Sequence, residues 1–183
     1  MMSEDSMLAV PVSASDHAQG DAGAAVTLVE YGDYQCPACG EAYPMVKKIQ
    51  RRYAGNLRFV FRNFPLIQAH PFARLAAEIA EAAAILDRFW VMHDWLYENQ
   101  AQWVAAGSSG LEAGLRALDV DEAAFDKAVR SPEIDVRIRR DFMGGARSGV
   151  NGTPSFYVNG SLHQGDYTLL ARMIGKEIAK QQR

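Results

Sequence analysis

Apolar and polar positions follow two different periods along this chain. Val26-Thr27-Leu28-Val29-Glu30-Tyr31 is a short, β-branched apolar run, the mark of a buried strand. Gly32-Asp33 breaks it. From Pro37 the period lengthens, with Met45, Val46, Ile49 and Tyr53 at helical spacing, until Gly55-Asn56 ends the helix. Leu57 to Phe61 then reads as a second strand, with Arg58 and Arg62 interrupting its apolar positions. Strand, helix and strand in this order predict the start of a parallel sheet.

No comparable strand run follows until residue 155. Pro71 to Leu86 is alanine-rich and helical in pattern, and Phe89-Trp90, Met92-His93 and Trp95-Leu96 give an aromatic helix face. Leu111 to Leu118 and Asp121 to Val129 are shorter helices, and Ser131-Pro132-Glu133 combines an N-cap, an N1 proline and a first-turn acid. The middle of the chain, over residues 67–147, therefore reads as a helical insertion in an α/β frame. Strand character returns at Ser155-Phe156-Tyr157-Val158, followed by Asn159-Gly160, a strong hairpin signal, and Ser161-Leu162-His163. Asp166 or Thr168 is placed to cap a last helix over Leu169 to Lys180. Residues 1–24 mix Ser, Ala, Gly and acids and read as an extended N-terminal arm, leaving 25–183 as the folded domain.

Composition narrows the class. Of 183 residues, 49% are apolar and 22% charged, which suits a globular domain with a sizeable core. A net charge of −3 argues against a nucleic-acid or anionic-membrane partner. The cluster Lys47, Lys48, Arg51, Arg52 reads as a solvated helix face, with an acidic partner as the alternative. No run is long and apolar enough to span a membrane. The segment Met1 to Asp21 has no cationic or apolar signal-peptide region and carries Glu4, Asp5 and Asp16, so the expected location is cytoplasmic, or periplasmic if a signal was removed.

The only two cysteines, Cys36 and Cys39, are three positions apart. A loop that short restricts the unfolded chain little, so the pair is a poor staple and points to chemistry. A thiolate, not a thiol, attacks a disulfide. Cys36-Pro37 at a helix start supplies unpaired N–H groups and the positive end of the macrodipole, which favour the thiolate. Cys39 lies nearly one turn further in, close enough to resolve a mixed disulfide. Cys36 is thus the candidate nucleophile and Cys39 the resolving thiol. A zinc half-site would need two more ligands, and His17, His70, His93 and His163 are scattered, so no metal is expected. Gly144, Gly145, Gly149 and Gly152 match no nucleotide-binding loop. Asn151-Gly152-Thr153 and Asn159-Gly160-Ser161 match the glycosylation sequon, but turn chemistry accounts for both.

Tyr31-Gly32-Asp33-Tyr34-Gln35-Cys36-Pro37-Ala38-Cys39 resembles the active-site segment of the DsbA-like thioredoxin-fold proteins. Phe61-Arg62-Asn63-Phe64-Pro65-Leu66, the His70-Pro71 helix start, the Phe89-Trp90-x-Met92-His93-Asp94 helix and Ser148-Gly149-Val150-Asn151-Gly152-Thr153-Pro154-Ser155-Phe156 are also similar to that family, in the family's order. The resemblance implies a thioredoxin fold with a helical insertion and a disulfide oxidoreductase or isomerase acting on protein or peptide thiols and disulfides. Glutathione or a thioredoxin system would be the redox partner, with no cofactor beyond the Cys36–Cys39 disulfide. It implies a cis peptide bond at Pro154, with Thr153 offering its backbone to substrate beside Pro37 and Ala38. It also implies that Glu30 is a buried carboxylate moving protons to and from Cys39, where the residue alone reads equally as a strand-end acid.

Two departures from the family matter. Its best-known members act in the periplasm behind a signal peptide that is not visible here. Their strongly oxidising forms carry Pro-His between the cysteines, whereas Pro37-Ala38 has no such donor, so a less oxidising pair is expected. Glutathione-linked transfer and a non-catalytic peptide- or metal-binding module are the competing functions. Cys39 argues against the former, because glutathione transferases of related fold typically have no resolving cysteine. His93, Trp90 and Trp95 read as core packing, and His70 as a helix-start residue.

Overall fold

The structure is a computed structural model that describes residues 7–181. Glu4, Asp5 and the rest of the first six residues of the arm lie outside this range. Five strands form one sheet in the order β1-β3-β2-β4-β5: β1 (His17–Gln19), β2 (Val26–Gly32), β3 (Leu57–Asn63), β4 (Ser155–Val158) and β5 (Ser161–Leu162). The helices are α1 (Pro37–Arg52), α2 (Ala73–Ile85), α3 (Phe89–Glu98), α4 (Gln100–Ala106), α5 (Glu112–Ala117), α6 (Glu122–Val129), α7 (Pro132–Arg147) and α8 (Tyr167–Gln181). The central pair β2–β3 is parallel, in register Val26 to Leu57 through Gly32 to Asn63, and β4 runs antiparallel to β2. Helices α2 to α7 form the insertion between β3 and β4.

Period-two alternation sorts the strands into two cores. Val26, Leu28, Phe59, Phe61, Phe156 and Val158 pack with α1, α3 and α8 into the larger one, with Trp103 and Leu118 of the insertion. Val29, Tyr31, Val60 and Tyr157 point the other way, joined by Phe64 and Val150 and covered by Leu8 and Val12 of the N-terminal segment. Glu30 shares the parity of Val26 and Leu28, so it faces the α1 side, flanked in register by Phe61 and Phe156.

Two elements had no clear pattern in the sequence. β1 pairs antiparallel with β3 along the sheet edge. Its segment is held by Arg62, whose guanidinium grips the Asp16 carboxylate at 3.0 and 3.1 Å and also donates to the carbonyls of Val10 and Pro11 and to the Tyr31 hydroxyl. Burial raises the Asp16 pKa, but the Arg62 hydrogen bond and charge outweigh it and hold the carboxyl below its ordinary value. The second is α4, which with the 3-10 turn Gly107–Leu111 continues the insertion beyond the aromatic helix. At the hairpin, Asn159 and Gly160 both take positive φ, 49° and 87°, and Asn159 Oδ1 accepts from Thr27 N at 2.9 Å. Asp166 caps α8 by accepting from Leu169 N at 2.9 Å.

Candidate active site

The site is built at the C-terminal end of β2, where the chain turns into α1. Asp33 directs this turn. Its Oδ1 accepts from Gln35 N at 2.8 Å, and its Oδ2 accepts from Leu66 N at 2.9 Å and from His70 Nδ1 at 2.7 Å. Gln35 reaches the same loop, its Oε1 accepting from Phe72 N at 2.6 Å. The cysteine turn is thereby tied to the loop after β3. In the sequence, Asp33 and Gln35 stand only within the cysteine motif and His70 only at a helix start. Their pairing spans more than thirty positions and no local pattern signals it.

Cys36 is the N-cap of α1, with φ −67° and ψ 121°, and Pro37 occupies the first helical turn. Both cysteines are buried, Cys36 being 6% exposed and Cys39 fully covered. Cys36 Sγ lies 3.3 Å from the carbonyl oxygen of Thr153, and the Thr153–Pro154 peptide bond is cis, the isomer that the family resemblance implies. The structure thus brings Cys36, Cys39, Thr153 and Pro154 together from opposite ends of the chain. Tyr167, at the start of α8, donates to the carbonyl of Ala38 at 3.3 Å.

The electrostatics of the two thiols diverge. A hydrogen bond from the Cys39 thiol, assisted by the backbone N–H groups of Cys39 and Ala38, lowers the Cys36 pKa to about 5 against the opposing effect of burial. Burial, the Cys36 hydrogen bond and the Glu30 charge push Cys39 well above its ordinary value. Glu30 is 3% exposed, and burial, with the nearby Cys36 charge, raises its carboxyl to about 8. The Cys36 thiol is therefore displaced toward its ionised form and the Cys39 thiol toward its protonated form. The Glu30 charge is among the influences that raise that second thiol.

The remaining candidates lie elsewhere. His93 is buried among Phe61, Phe89, Trp90 and Tyr97, its Nδ1 pairs with the Tyr34 hydroxyl at 3.1 Å, and burial keeps its ring neutral. It supports the wall behind the cysteine turn and does not approach the sulfurs as a base. In the basic cluster, Lys47 pairs with Asp94 at 3.1 Å, Arg52 stacks on Tyr53, and Lys48 and Arg51 are exposed. Among the described residues, no three His, Cys, Asp or Glu side chains converge to hold a metal ion.

This sheet order, helical insertion and dithiol beside a cis proline define a DsbA-like thioredoxin-fold protein. Residues 13–174 match the thioredoxin family model, and the chain belongs to that family. BdbD from Bacillus subtilis is similar over 96% of this chain and 100% of its own, with 25% identity and a TM-score of 0.79. A thioredoxin-like oxidoreductase from Silicibacter pomeroyi matches over 92% of this chain and 94% of its own, also at 25% identity and 0.79. The fold is shared with Wolbachia pipientis α-DsbA1 at 19% identity and a TM-score of 0.79, covering 93% of this chain and 94% of that one. Among curated proteins, the Na(+)/H(+) antiporter NhaA 1 of Salinispora arenicola is 42% identical over 165 residues, which cover 90% of this chain but 25% of the relative. The NhaA 1 of Mycobacterium sp. (strain KMS) is 34% identical over 83% of this chain and 25% of its own length. The chain thus spans about a quarter of the curated relatives that it matches.

These neighbours correct the expected location. The cytoplasmic expectation rested on the absence of a visible signal at the start of the chain. The structural neighbours are DsbA-like thiol–disulfide proteins, which lend no support to a cytoplasmic location, and a match to one quarter of longer relatives removes any meaning from where this chain begins. No described helix is long and apolar enough to cross a membrane.

Proposed function

We propose that this chain is a thiol–disulfide oxidoreductase acting on protein disulfides, with Cys36 as nucleophile and Cys39 as resolving thiol. The observation that carries the reading is geometric: Cys36 caps the start of α1 with its sulfur 3.3 Å from the Thr153 carbonyl beside the cis Pro154, and Cys39 lies one turn further in. The lowered Cys36 and raised Cys39 agree with it.

In the reductive direction the Cys36 thiolate attacks one sulfur of a substrate disulfide. A Cys36–substrate disulfide forms, the substrate S–S bond breaks, and the leaving thiolate takes a proton from water. With the Cys36 charge gone in the mixed disulfide, the Glu30 carboxyl ionises more readily, and in that form it accepts the Cys39 proton. The Cys39 thiolate attacks Cys36, forming Cys36–Cys39 and releasing the second substrate thiolate. The substrate gains two electrons and the dithiol loses them; the Cys39 proton passes to Glu30, and water protonates the released substrate thiolates. The reverse sequence oxidises a substrate. In this reading the carbonyl of Thr153 takes a backbone N–H of a bound extended peptide beside Pro154, a role supported by its lying 3.3 Å from the Cys36 sulfur. Pro37 and Ala38 flank the attacking sulfur, Pro37 being exposed.

The test is turnover of insulin disulfides with dithiothreitol, together with the reduction potential of the pair. The wild-type chain is expected to accelerate reduction, and Cys36→Ser to abolish it. A potential near −270 mV would assign a reductase and one above about −180 mV an oxidase or isomerase. Absence of both turnover and a reversible dithiol equilibrium would leave a peptide-binding module instead.

A further inference from the structure

α4 begins at Gln100, inside the helical insertion, yet its first side chain reaches into the cysteine turn. Gln100 Nε2 donates to the carbonyl of Tyr34 at 2.8 Å and to the carbonyl of Cys36 at 2.9 Å. The Cys36 carbonyl also accepts the first bond of α1, from Gly40 N at 3.1 Å. Both hydrogens of one carboxamide are thus spent on the two carbonyls that bracket the nucleophile's approach to the helix. Gly40 leaves the space for it: a Cβ there would lie 2.9 Å from Gln100 Cδ and closer still to Oε1.

We infer that Gln100 is a positioning residue for the reactive thiolate, through which the helical insertion sets the reactivity of Cys36. Carbonyl oxygens are the negative ends of strong dipoles, and those of Tyr34 and Cys36 sit within two residues of the sulfur. Paired with Gln100, their field at the sulfur is reduced. Unpaired, they oppose a negative charge placed among them. The same two bonds hold Cys36 in the extended N-cap conformation that keeps its sulfur over the N–H groups of the first turn. Gln100 touches neither the sulfurs nor the space a substrate would occupy at Thr153. Its action passes through the backbone.

The inference rests on the proposed dithiol chemistry, but its readout does not require turnover. Thiolate absorbance near 240 nm, followed against pH in the reduced protein, reports Cys36 directly. Gln100→Met keeps the bulk and removes both donors. Gly40→Ala leaves Gln100 in place but pushes its carboxamide out of the turn. In both variants the Cys36 midpoint is expected to rise by about one pH unit or more, a tenfold change in the thiolate equilibrium. Gln102→Ala, exposed on the same helix, should titrate like the parent. A residue with only a structural role would lower the unfolding midpoint without moving the titration. Parent-like titration in Gln100→Met and Gly40→Ala, with both folded, overturns the inference, and should Gln100→Met unfold, Gly40→Ala decides by the same criterion. Failure of insulin turnover in the parent chain, with its titration intact, would count against the proposed function and leave the clamp standing.

Discussion

Cys36 and Thr153 are 117 positions apart, yet Cys36 Sγ hydrogen-bonds the Thr153 carbonyl at 3.3 Å. The thiol donates in this bond, and once ionised it loses that partner and keeps those that donate to it: the Cys39 thiol and the N–H groups at the start of α1. Ionisation thus frees the Thr153 carbonyl of its bond to the sulfur. Cys36 should therefore be alkylated by iodoacetamide at a rate that rises through pH 5 and is flat by neutrality, with Cys39 unreactive over the same range. A midpoint at 8 or above in the Cys39→Ala background would mean that the Cys39 hydrogen bond, and not the helix start, supplies most of the effect.

Glu30 and Cys36 push the pH dependence of stability in opposite directions. The Glu30 carboxyl is raised from 4.5 to about 8, so the stability it contributes is complete below its unfolded value and lost as pH rises toward 8. Cys36 is lowered from 9.0 to about 5, so its contribution is complete above 9.0 and lost as pH falls toward 5. Between about 5 and 8 the two partly cancel in the reduced protein. Glu30→Gln removes one arm: its urea unfolding midpoint, measured in the reduced state, should climb steadily from pH 5 to 8. The same variant should slow resolution of the mixed disulfide by about 10²-fold, the low end for a lost general base. Rapid-quench trapping of the mixed disulfide checks this, and an unchanged resolution rate would remove Glu30 from the mechanism.

Asp33→Ala should destabilise the protein by about 3 kcal/mol, because it orphans the buried N–H of Gln35 and the part-buried N–H of Leu66, at roughly 1–3 kcal/mol each. Urea denaturation gives the value. His70→Ala removes only a half-buried partner and should cost less than half as much.

Asp16→Ala leaves the Arg62 guanidinium buried and uncompensated, for an expected loss of about 3–5 kcal/mol. The damage should be local. With Asp16 removed, β1 and the segment before it lose their anchor on the sheet edge, and limited proteolysis should cut near Ser13 to Gln19 before the rest of the domain. Asp16→Ala combined with Arg62→Met should recover part of the lost stability, because no buried charge remains unpaired.

Much of the frame was legible because it is written locally. The run at Val26 to Tyr31, the Cys36-Pro37 helix start and the Asn159-Gly160 turn each report themselves within a few residues. β1 was missed because a three-residue edge strand in a Ser, Ala and acid-rich segment has no alternation to read; it exists because Arg62 holds Asp16. α4 was missed because it follows α3 almost without a break, and only burial of Trp103 and the reach of Gln100 give it a separate purpose.

The sequence by itself determined the dithiol, its place at the head of a helix and the strand, helix, strand order that follows from capping and periodicity. Those rules act over one or two turns of chain. The tertiary structure alone decided which groups surround the sulfurs. The Thr153 carbonyl, the Glu30 side chain beneath α1 and the Gln100 carboxamide 64 positions from Cys36 arrive through sheet register and helix packing. A thiol's acidity depends on charge and dipoles within a few ångströms, and folding, not spacing along the chain, sets those distances.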